Sequence, residues 1–417
     1  MIVERKSAAH NGFFSNVAML SLLNILSALL PLLLLPFYLK TLGASVYGLI
    51  LLSQVFCLYL VIICDYGFNL FLPREIASNK ENLSEVCKII SSVFIVKIGL
   101  LLISFVALIL ATQISDQLLE ISSLLLFAFI YVIANALNPM SIFQGFEVLQ
   151  LYSLTMLATK LLSACGILIF IAGPGDAELV LLIQGSFSLL GSAILFVAMI
   201  IKFKLRFLFV SFEDIYRVCK GASVYFISRL SNEGLSNTVS FLLGIKLGPD
   251  SLSIFYSAER FYRAGLLMLT PITQSLYPYM TRVKNIKFFT VIFGAIILAA
   301  SLGISMSFIF IDQILILLFD SLAGQISEVY KIFMLALWLG AIGTLLGFPF
   351  LGALGHIREA NVSIVYGAFM GLVILLVVYL FSDHVVFFVF PLIGFEAVTL
   401  FFRAYFIRKN RVGAAPQ

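Results

Sequence analysis

The sequence predicts an all-α integral membrane protein, with twelve transmembrane helices in two six-helix lobes around a central cavity. Of its 417 residues, 62% are hydrophobic and 11% are charged, and the mean hydropathy is +1.11. Long apolar runs recur along the whole chain, and Lys and Arg gather in alternate loops. Soluble domains carry about 25% charged residues. A chain this apolar has too few polar side chains to cover a soluble surface.

Twelve apolar runs are long enough to form helices that cross the hydrocarbon core, which takes roughly 20 residues. The first run follows Arg5 and Lys6 and is too long for a signal peptide, so we predict that it spans the membrane. The predicted spans are 13–39, 46–72, 89–112, 121–143, 153–173, 178–201, 221–247, 252–276, 287–311, 329–350, 361–382 and 385–407.

The distribution of Lys and Arg predicts the orientation. With twelve spans, both termini lie on one side of the membrane. The predicted loops on that side carry seventeen Lys or Arg residues, whereas those on the other side carry three: Lys40, Lys246 and Lys331. Because Lys and Arg accumulate in cytoplasmic loops, both termini are predicted to be cytoplasmic. The loops are short, which leaves no room for a soluble catalytic domain. The five cysteines show no metal or redox spacing, so neither a metal site nor a cofactor is predicted.

An internal repeat divides the chain into an N-terminal lobe (1–201), a cytoplasmic interfacial linker (202–220) and a C-terminal lobe (221–417). Leu42-Gly43 recurs as Leu247-Gly248 and Pro73 recurs as Pro278, both at an offset of 205 residues. Such coincidences also arise by chance in Leu/Gly-rich sequence, but parallel repeats are a known transporter design with the substrate site between the halves. The linker mixes basic and aromatic residues, which predicts a short amphipathic helix on the membrane surface.

Charged residues interrupt the eighth predicted span, SIFYSAERFYRAGLLMLTP (residues 253–271). A charge at the bilayer centre costs roughly 2.5–3.5 kcal/mol, so these side chains are expected to face protein or water. At 100° per residue, the polar groups of each of two adjacent spans share one face. On the eighth span they are Tyr256, Glu259, Arg260, Arg263, Thr270 and Gln274. On the seventh they are Arg229, Asn232, Glu233, Ser236, Asn237 and Ser240.

Two interpretations of these faces compete. Arg229–Glu233 and Glu259–Arg263 have the (i, i+4) spacing of ion pairs that only hold a bundle together. A hydrated cavity with a cationic lining also accounts for Arg260, which lacks an acidic partner at that spacing, and for the number of Ser and Asn residues. The second interpretation predicts a path for an anionic substrate, with Arg229, Arg260 and Arg263 as its contacts.

The N-terminal half offers fewer candidates. Lys97 and Lys160 extend the predicted cationic lining, although either side chain could instead snorkel to the interface. Asp65 could pair with Arg74, and Glu396 in the last span has no partner by spacing. We interpret the embedded acids as coupling groups or charge partners; they are Asp65, Glu233, Glu259 and Glu396.

Several stretches resemble one transporter family. LLLLPFYLKTLGASVYGLILLSQVF and DYGFNLFLPREIASNK are similar to the first helix pair of polysaccharide-type flippases, and GIKLGPDSLSIFYSAERF and TPITQSLYPYMTR to the corresponding parts of their second half. These are the Wzx-type flippases of O-antigen and lipid-linked oligosaccharides. They form the polysaccharide transporter family of the multidrug/oligosaccharidyl-lipid/polysaccharide exporter superfamily. The resemblance covers most of residues 12–290 and weakens beyond them.

The resemblance implies a transporter, not an enzyme, in which two lobes expose a positively lined cavity to each side of the bacterial inner membrane in turn. Its implied substrate is an undecaprenyl-pyrophosphate-linked oligosaccharide, whose lipid tail stays in the bilayer. Guanidinium groups bind phosphate oxygens in a bidentate manner, so the arginine-lined path fits a pyrophosphate. Other polysaccharide-assembly membrane proteins are potential partners, and nucleic acid is not. Whether a proton or sodium gradient drives transport is left open.

Two other functions are compatible with a polytopic membrane protein. A multidrug or other solute antiporter of the same superfamily would share the fold, but a cavity for cationic drugs would be expected to be acidic. A polysaccharide polymerase or ligase would carry a large periplasmic loop with its catalytic residues, and no predicted loop is that long.

Overall fold

The protein is all-helical over the part of the chain that the structure describes, as the sequence predicts. A computed structural model describes residues 29–410, except the side chains of 227–233, and contains no strand within that range. The first predicted span, 13–39, lies only partly within it. The α-helices of the described residues are α1 Leu29–Thr41, α2 Gly43–Asp65, α3 Phe68–Ser78, α4 Leu83–Ile114, α5 Asp116–Glu120, α6 Ser122–Leu137, α7 Met140–Gly145, α8 Leu149–Phe170, α9 Ala177–Phe203, α10 Phe212–Met268, α11 Thr270–Val283, α12 Ile286–Phe319, α13 Ala323–Leu345, α14 Ile357–Phe381 and α15 Phe390–Lys409.

Eight segments of the described residues are long and apolar enough to cross a membrane. Seven of them cover one predicted span each, and the segment Ile286–Gly352 covers two, 287–311 and 329–350. The predicted spans 221–247 and 252–276 lie in α10 and α11. The prediction of a multi-pass helical protein is therefore confirmed, whereas the count of twelve spans stays a prediction.

The described residues form two compact units. The first unit contains residues 41–237, and the second contains 29–40 and 238–410. The boundary falls inside α10, between Asn237 and Thr238. The division of the chain at 202–220 was predicted from the sequence repeat and stays a prediction.

In the first unit, α6 packs against α2, α4 and α9, and α8 packs against α9. Large apolar side chains of α3, α4 and α7 gather in one core, including Phe68, Phe94 and Phe143. In the second unit, α15 packs against α13 and α14, and α12 packs against α13. A π-helical segment, Leu346–Gly352, continues α13 and contacts α11.

The sequence repeat corresponds to a repeated backbone feature. Gly43 and Gly248, 205 residues apart, have φ angles of +81° and +84°. L-residues rarely adopt this region, which explains glycine at both positions. The helix after each glycine is later interrupted, and the short helix beyond each interruption contains Pro73 or Pro278. Predicted spans seven and eight are thus joined by a kink at Gly248 within α10, without a loop.

Gly67 lets the interrupted second span approach α10 in the first unit. Its φ angle is +81°. A Cβ atom placed on Gly67 would lie 2.6 Å from the backbone N of Phe226 and 2.8 Å from the backbone O of Ala222. Beside this contact, the Tyr66 and Phe226 rings stack with centroids 5.2 Å apart. Gly67 therefore serves both the turn between α2 and α3 and their close packing on α10.

Lys246, one of the three lysines predicted outside the cytoplasm, caps the end of α14. Its Nζ atom donates to the carbonyl oxygens of Tyr379 and Ser382, at 2.5 and 2.8 Å, and lies 3.0 Å from a carboxylate oxygen of Asp383. A cation at a helix C-terminus interacts favourably with the helix dipole and the last carbonyl groups. The charge of Lys246 is thus compensated within the second unit.

The other two predicted outside lysines are also engaged. Lys40 Nζ lies 3.5 Å from the carbonyl oxygen of Leu317, near the end of α12. Lys331 Nζ donates to Asp312 Oδ2 at 3.1 Å. Each exception to the predicted loop charge distribution therefore has a local partner in the second unit.

Candidate functional site

The ion pair predicted on the eighth span is present on α10. Arg263 donates from Nε and Nη2 to Oε1 of Glu259, at 3.0 and 2.9 Å. The Glu259 side chain is 1% exposed and that of Arg263 is 43% exposed. The pair joins adjacent turns of one helix, and its two formal charges cancel. Its geometry agrees with the structural interpretation, while the exposure of Arg263 leaves its guanidinium accessible.

Arg260 has a different environment from Arg263. Its Nη2 atom donates to the hydroxyl of Tyr256 at 2.6 Å, and its Cζ atom lies 4.3 Å from the centroid of the Tyr256 ring. Tyr256 stabilises the cation by a hydrogen bond and a cation–π contact but carries no opposite charge. No carboxylate of the described side chains lies within 4.0 Å of Arg260, and its buried Nε finds no acceptor among them. Arg260 thus gives this face of α10 a positive charge.

The remaining residues of the two predicted polar faces differ in exposure. Ser240 is buried, Ser236 and Asn237 are half-buried, and Thr270 is half-buried. The side chains of Arg229, Asn232 and Glu233 lie outside the described residues, so their predicted roles stay predictions.

The helix geometry assumed for the eighth span fails near its end. The α-helical pattern is interrupted at Leu269, whose N–H bonds to the carbonyl of Leu266, three residues back, at 3.1 Å. Thr270 and the exposed Gln274 belong to α11. The 100° rotation per residue does not apply across this interruption, so their place on the Glu259 face stays a prediction.

The two lysines predicted for the first half occupy different environments. Lys97 is 4% exposed, and its Nζ lies 6.0 Å from the centroid of the Phe94 ring in α4. Lys160 on α8 is exposed. Lys97 is therefore enclosed by the first unit, whereas Lys160 is accessible from outside it.

Asp65, the last residue of α2, is buried at 5% exposure. Arg74, the partner suggested by the sequence, instead donates to the hydroxyl of Tyr225 at 3.1 Å. Arg74 is thus engaged by α10, and its pairing with Asp65 stays a prediction.

Glu396, which has no partner by spacing, has one through the fold. The Tyr262 hydroxyl donates to its Oε1 at 2.9 Å, and both residues are buried. Gly340 on α13 makes room for the carboxylate, since a Cβ there would lie 2.9 Å from Oε1. The second unit thus encloses an acidic side chain that accepts a hydrogen bond from a phenol.

Arg403 lies two turns beyond Glu396 on α15 and is also buried. It donates from Nε to Ser363 Oγ at 3.1 Å and from Nη1 to the carbonyl oxygen of Gly343. A Cβ at Gly347 would lie 2.8 Å from the guanidinium carbon. Small residues let membrane helices approach closely, and here they admit a large cation.

Sequence reasoning gave Tyr262 and Arg403 no role. One pattern in the sequence indicates close packing of another helix at this place. Gly340, Gly343 and Gly347 are spaced so that they lie along one side of a helix. The described residues hold no group of three or more His, Cys, Asp or Glu placed to share a metal ion.

The fold is shared with two solved membrane proteins. The protein is similar to "Lipid II flippase MurJ, inward closed conformation", with a TM-score of 0.73 and 14% identity over 93% of this chain and 87% of that one. It is also similar to an inward-facing multidrug resistance MATE family transporter of the MOP superfamily. That similarity has a TM-score of 0.67 and 16% identity over 93% and 96% of the two chains. At these identities the similarity concerns the fold.

The family is given by sequence. A family described as "Polysaccharide biosynthesis protein" matches residues 13–284, and the chain belongs to it. A "Putative O-antigen transporter" of Escherichia coli (strain K12) is 26% identical over 278 residues, which are 65% of this chain and 67% of the relative. These findings confirm the resemblance to O-antigen flippases and identify a multi-pass membrane protein.

Proposed function

We propose that the protein is a flippase. It moves an undecaprenyl-pyrophosphate-linked oligosaccharide, an O-antigen or similar repeat unit, from the cytoplasmic to the periplasmic leaflet of a bacterial inner membrane. Membership of the polysaccharide biosynthesis family supports a glycan substrate, and the name of the E. coli relative supports transport. The fold shared with a lipid II flippase supports a lipid-linked cargo. The protein carries out no chemical reaction on it, and both its termini are cytoplasmic.

The environment of Arg260 supports the proposed recognition of pyrophosphate. Its positive charge faces a tyrosine, and among the described side chains no carboxylate pairs with it, so an anionic ligand would find its charge available. Arginine binds phosphate oxygens through paired N–H donors, which a lysine cannot reproduce. In this proposal Arg260 is a direct contact, and Arg263 is a second contact held in position by Glu259.

The other predicted residues take supporting roles in the proposal. Arg229, Lys97 and Lys160 add positive charge along a path that opens to the two sides of the membrane in turn. Ser, Asn, Gln and Tyr side chains of α10 and α11 contact the sugars. The embedded acids exchange a proton or sodium ion as the path switches sides, since intramembrane carboxylates are typical of such relays. Other polysaccharide-assembly membrane proteins supply and receive the cargo.

A multidrug antiporter is the second candidate, because a MATE family transporter shares the fold. The family match favours an anionic glycan carrier, and so does Arg260, which has no carboxylate partner among the described side chains. An antiporter of cationic compounds would gain from removal of this positive charge, whereas a pyrophosphate carrier would lose activity.

Substitution of Arg260 tests the proposal. Surface-polysaccharide display is measured in a strain that lacks its own flippase gene and is normalised to the membrane abundance of each variant. Arg260→Ala should abolish display at normal abundance, and Arg260→Lys should retain part of it, because the charge survives without the paired donors. Lys284→Ala, in an exposed loop, is the matched control and should display normally. Full display by Arg260→Ala would refute the cationic path.

A further inference from the structure

A non-helical strap, residues 204–211, joins α9 to α10 within the first unit. The amphipathic helix predicted for this linker is wrong at these residues, where two backbone N–H groups donate to side chains of another helix. The N–H of Arg206 donates to Cys87 Sγ at 3.4 Å, and that of Leu208 donates to Ser91 Oγ at 3.0 Å. Both acceptors belong to α4. The strap therefore lies along α4.

The strap lies alongside the membrane-spanning helices and not beyond their ends. Phe207 packs against Phe94 of α4 and Phe196 of α9, with ring centroids 5.8 Å away in each case. Phe196 precedes the end of α9 by seven residues, or about 10 Å at the helical rise. The polar headgroup region of a leaflet is only about 5–8 Å thick. With the end of α9 at the membrane surface, Phe207 would lie at the depth where headgroups meet acyl chains.

Large aromatic side chains on the strap and the start of α10 face away from the protein. Phe209 has a relative exposure of 108%, and Phe212 has one of 82%. In water the apolar area of these rings would stay exposed. At a membrane interface the rings can insert among the acyl chains, which removes that area from water. Two of the strap's N–H groups, those of Arg206 and Leu208, have side-chain acceptors on α4, which suits an environment with little water.

Three exposed cations lie close to these aromatic residues in the sequence: Lys202, Lys204 and Arg206. Asp214, an acidic residue near the start of α10, already has partners of its own. Asp214 accepts hydrogen bonds from Ser211 and pairs with Arg217 at 2.5 Å. The hydrogen bonds from Ser211, and then the bond from Arg217, lower the pKa of Asp214, so it stays ionised and bound to these partners. Glu213 is exposed and is the other acid at this end of α10.

We propose that the strap is a lipid-binding site whose ligand is the headgroup of an anionic phospholipid. Phe209 and Phe212 insert among the acyl chains, and Lys202, Lys204 and Arg206 hold the phosphate. Basic residues next to a membrane surface attract anionic lipids, and aromatic residues fix the depth of the segment. The site is independent of the transported glycan and of the predicted orientation of the chain.

A single-tryptophan reporter tests the depth of the strap. The chain has one tryptophan, Trp338, in the second unit. The full chain with Trp338→Phe and Phe209→Trp is reconstituted in phosphatidylcholine vesicles that contain phosphatidylglycerol, with bromine on the acyl chains of one lipid at a time. The expected result is blue-shifted emission that both brominated lipids quench. Emission typical of water, without quenching, would place the strap in the aqueous phase and overturn the proposal.

The same reporter tests the charge selectivity. Brominated phosphatidylglycerol should quench with at least a roughly fivefold preference over brominated phosphatidylcholine at equal mole fraction, which is the preference that each basic contact contributes. Lys202→Gln/Lys204→Gln/Arg206→Gln should remove the preference but leave the depth unchanged. Arg282→Gln/Lys284→Gln/Lys287→Gln removes three exposed cations at the junction of α11 and α12 and is the matched control. Equal quenching by the two lipids in the unmodified strap would overturn the headgroup site.

Discussion

Glu259 and Arg263 form an ion pair that is buried at its acidic end and accessible at its basic end. Oε1 of Glu259 lies 2.9 Å from Nη2 of Arg263, and the two side chains are 1% and 43% exposed. A carboxylate in this position orients the guanidinium and lowers the energy of keeping it inside a membrane protein. The pair therefore serves structure and remains compatible with substrate contact, and these two roles can be separated by experiment.

Arg263→Ala separates the roles of the Glu259–Arg263 pair. If the pair is structural, loss of the arginine removes the cation from a buried carboxylate, at a cost of roughly 1–3 kcal/mol, and membrane abundance falls. Glu259→Gln/Arg263→Gln should then restore both abundance and display. If Arg263 contacts pyrophosphate, as proposed, Arg263→Ala should insert at normal abundance without display, and the double variant should stay inactive. Display measured against abundance distinguishes the outcomes.

Gly67→Ala should destabilise the first unit more than Gly43→Ala. Both glycines have a φ angle of +81°, which costs an alanine roughly 1–2 kcal/mol. A Cβ at Gly43 meets nothing within 4 Å, whereas one at Gly67 meets the α10 backbone at 2.6 Å. The added overlap forces a backbone shift that costs roughly 1–3 kcal/mol more. Thermal midpoints of the purified variants in one detergent provide the measurement, and equal losses would argue against the close packing.

Glu396→Gln tests the proposed coupling role of the buried acid. The amide oxygen can still accept the Tyr262 hydrogen bond, but the side chain can no longer gain or lose a proton. Transport should therefore lose its dependence on an imposed ion gradient while abundance stays normal. Tyr262→Phe is the control, because it removes the hydrogen bond and leaves the acid. Normal gradient dependence in Glu396→Gln would assign Glu396 a structural role only.

The predicted orientation has a direct test. Reporter fusions at residue 210, in the strap, should show cytoplasmic activity, and fusions at Leu322, between α12 and α13, should show periplasmic activity. The expectation rests on the Lys and Arg distribution. Of the three opposing lysines, Lys246 and Lys331 pair with carboxylates, and Lys40 lies near a backbone carbonyl oxygen. Periplasmic activity at residue 210 would reverse the assignment.

The sequence by itself determined the features that depend on local composition and periodicity. Hydropathy identified membrane helices, because a helix forms all of its backbone hydrogen bonds within itself. An apolar run then needs only enough residues to cross the hydrocarbon core. The 3.6-residue period placed Tyr256, Glu259, Arg260 and Arg263 together, and it anticipated the one-turn Glu259–Arg263 pair. The offset of 205 residues anticipated matching backbone turns at Gly43 and Gly248.

Only the tertiary structure decided which distant groups meet. The Tyr262–Glu396 hydrogen bond joins residues 134 apart, and the Arg403–Ser363 bond joins residues 40 apart. Both depend on which helices pack together, and glycines on α13 permit that approach without specifying the neighbour. The extended course of the strap could not be predicted from the sequence either. Its basic and aromatic composition suits an amphipathic helix, and its extended course follows from acceptors on α4 that are far away in the sequence.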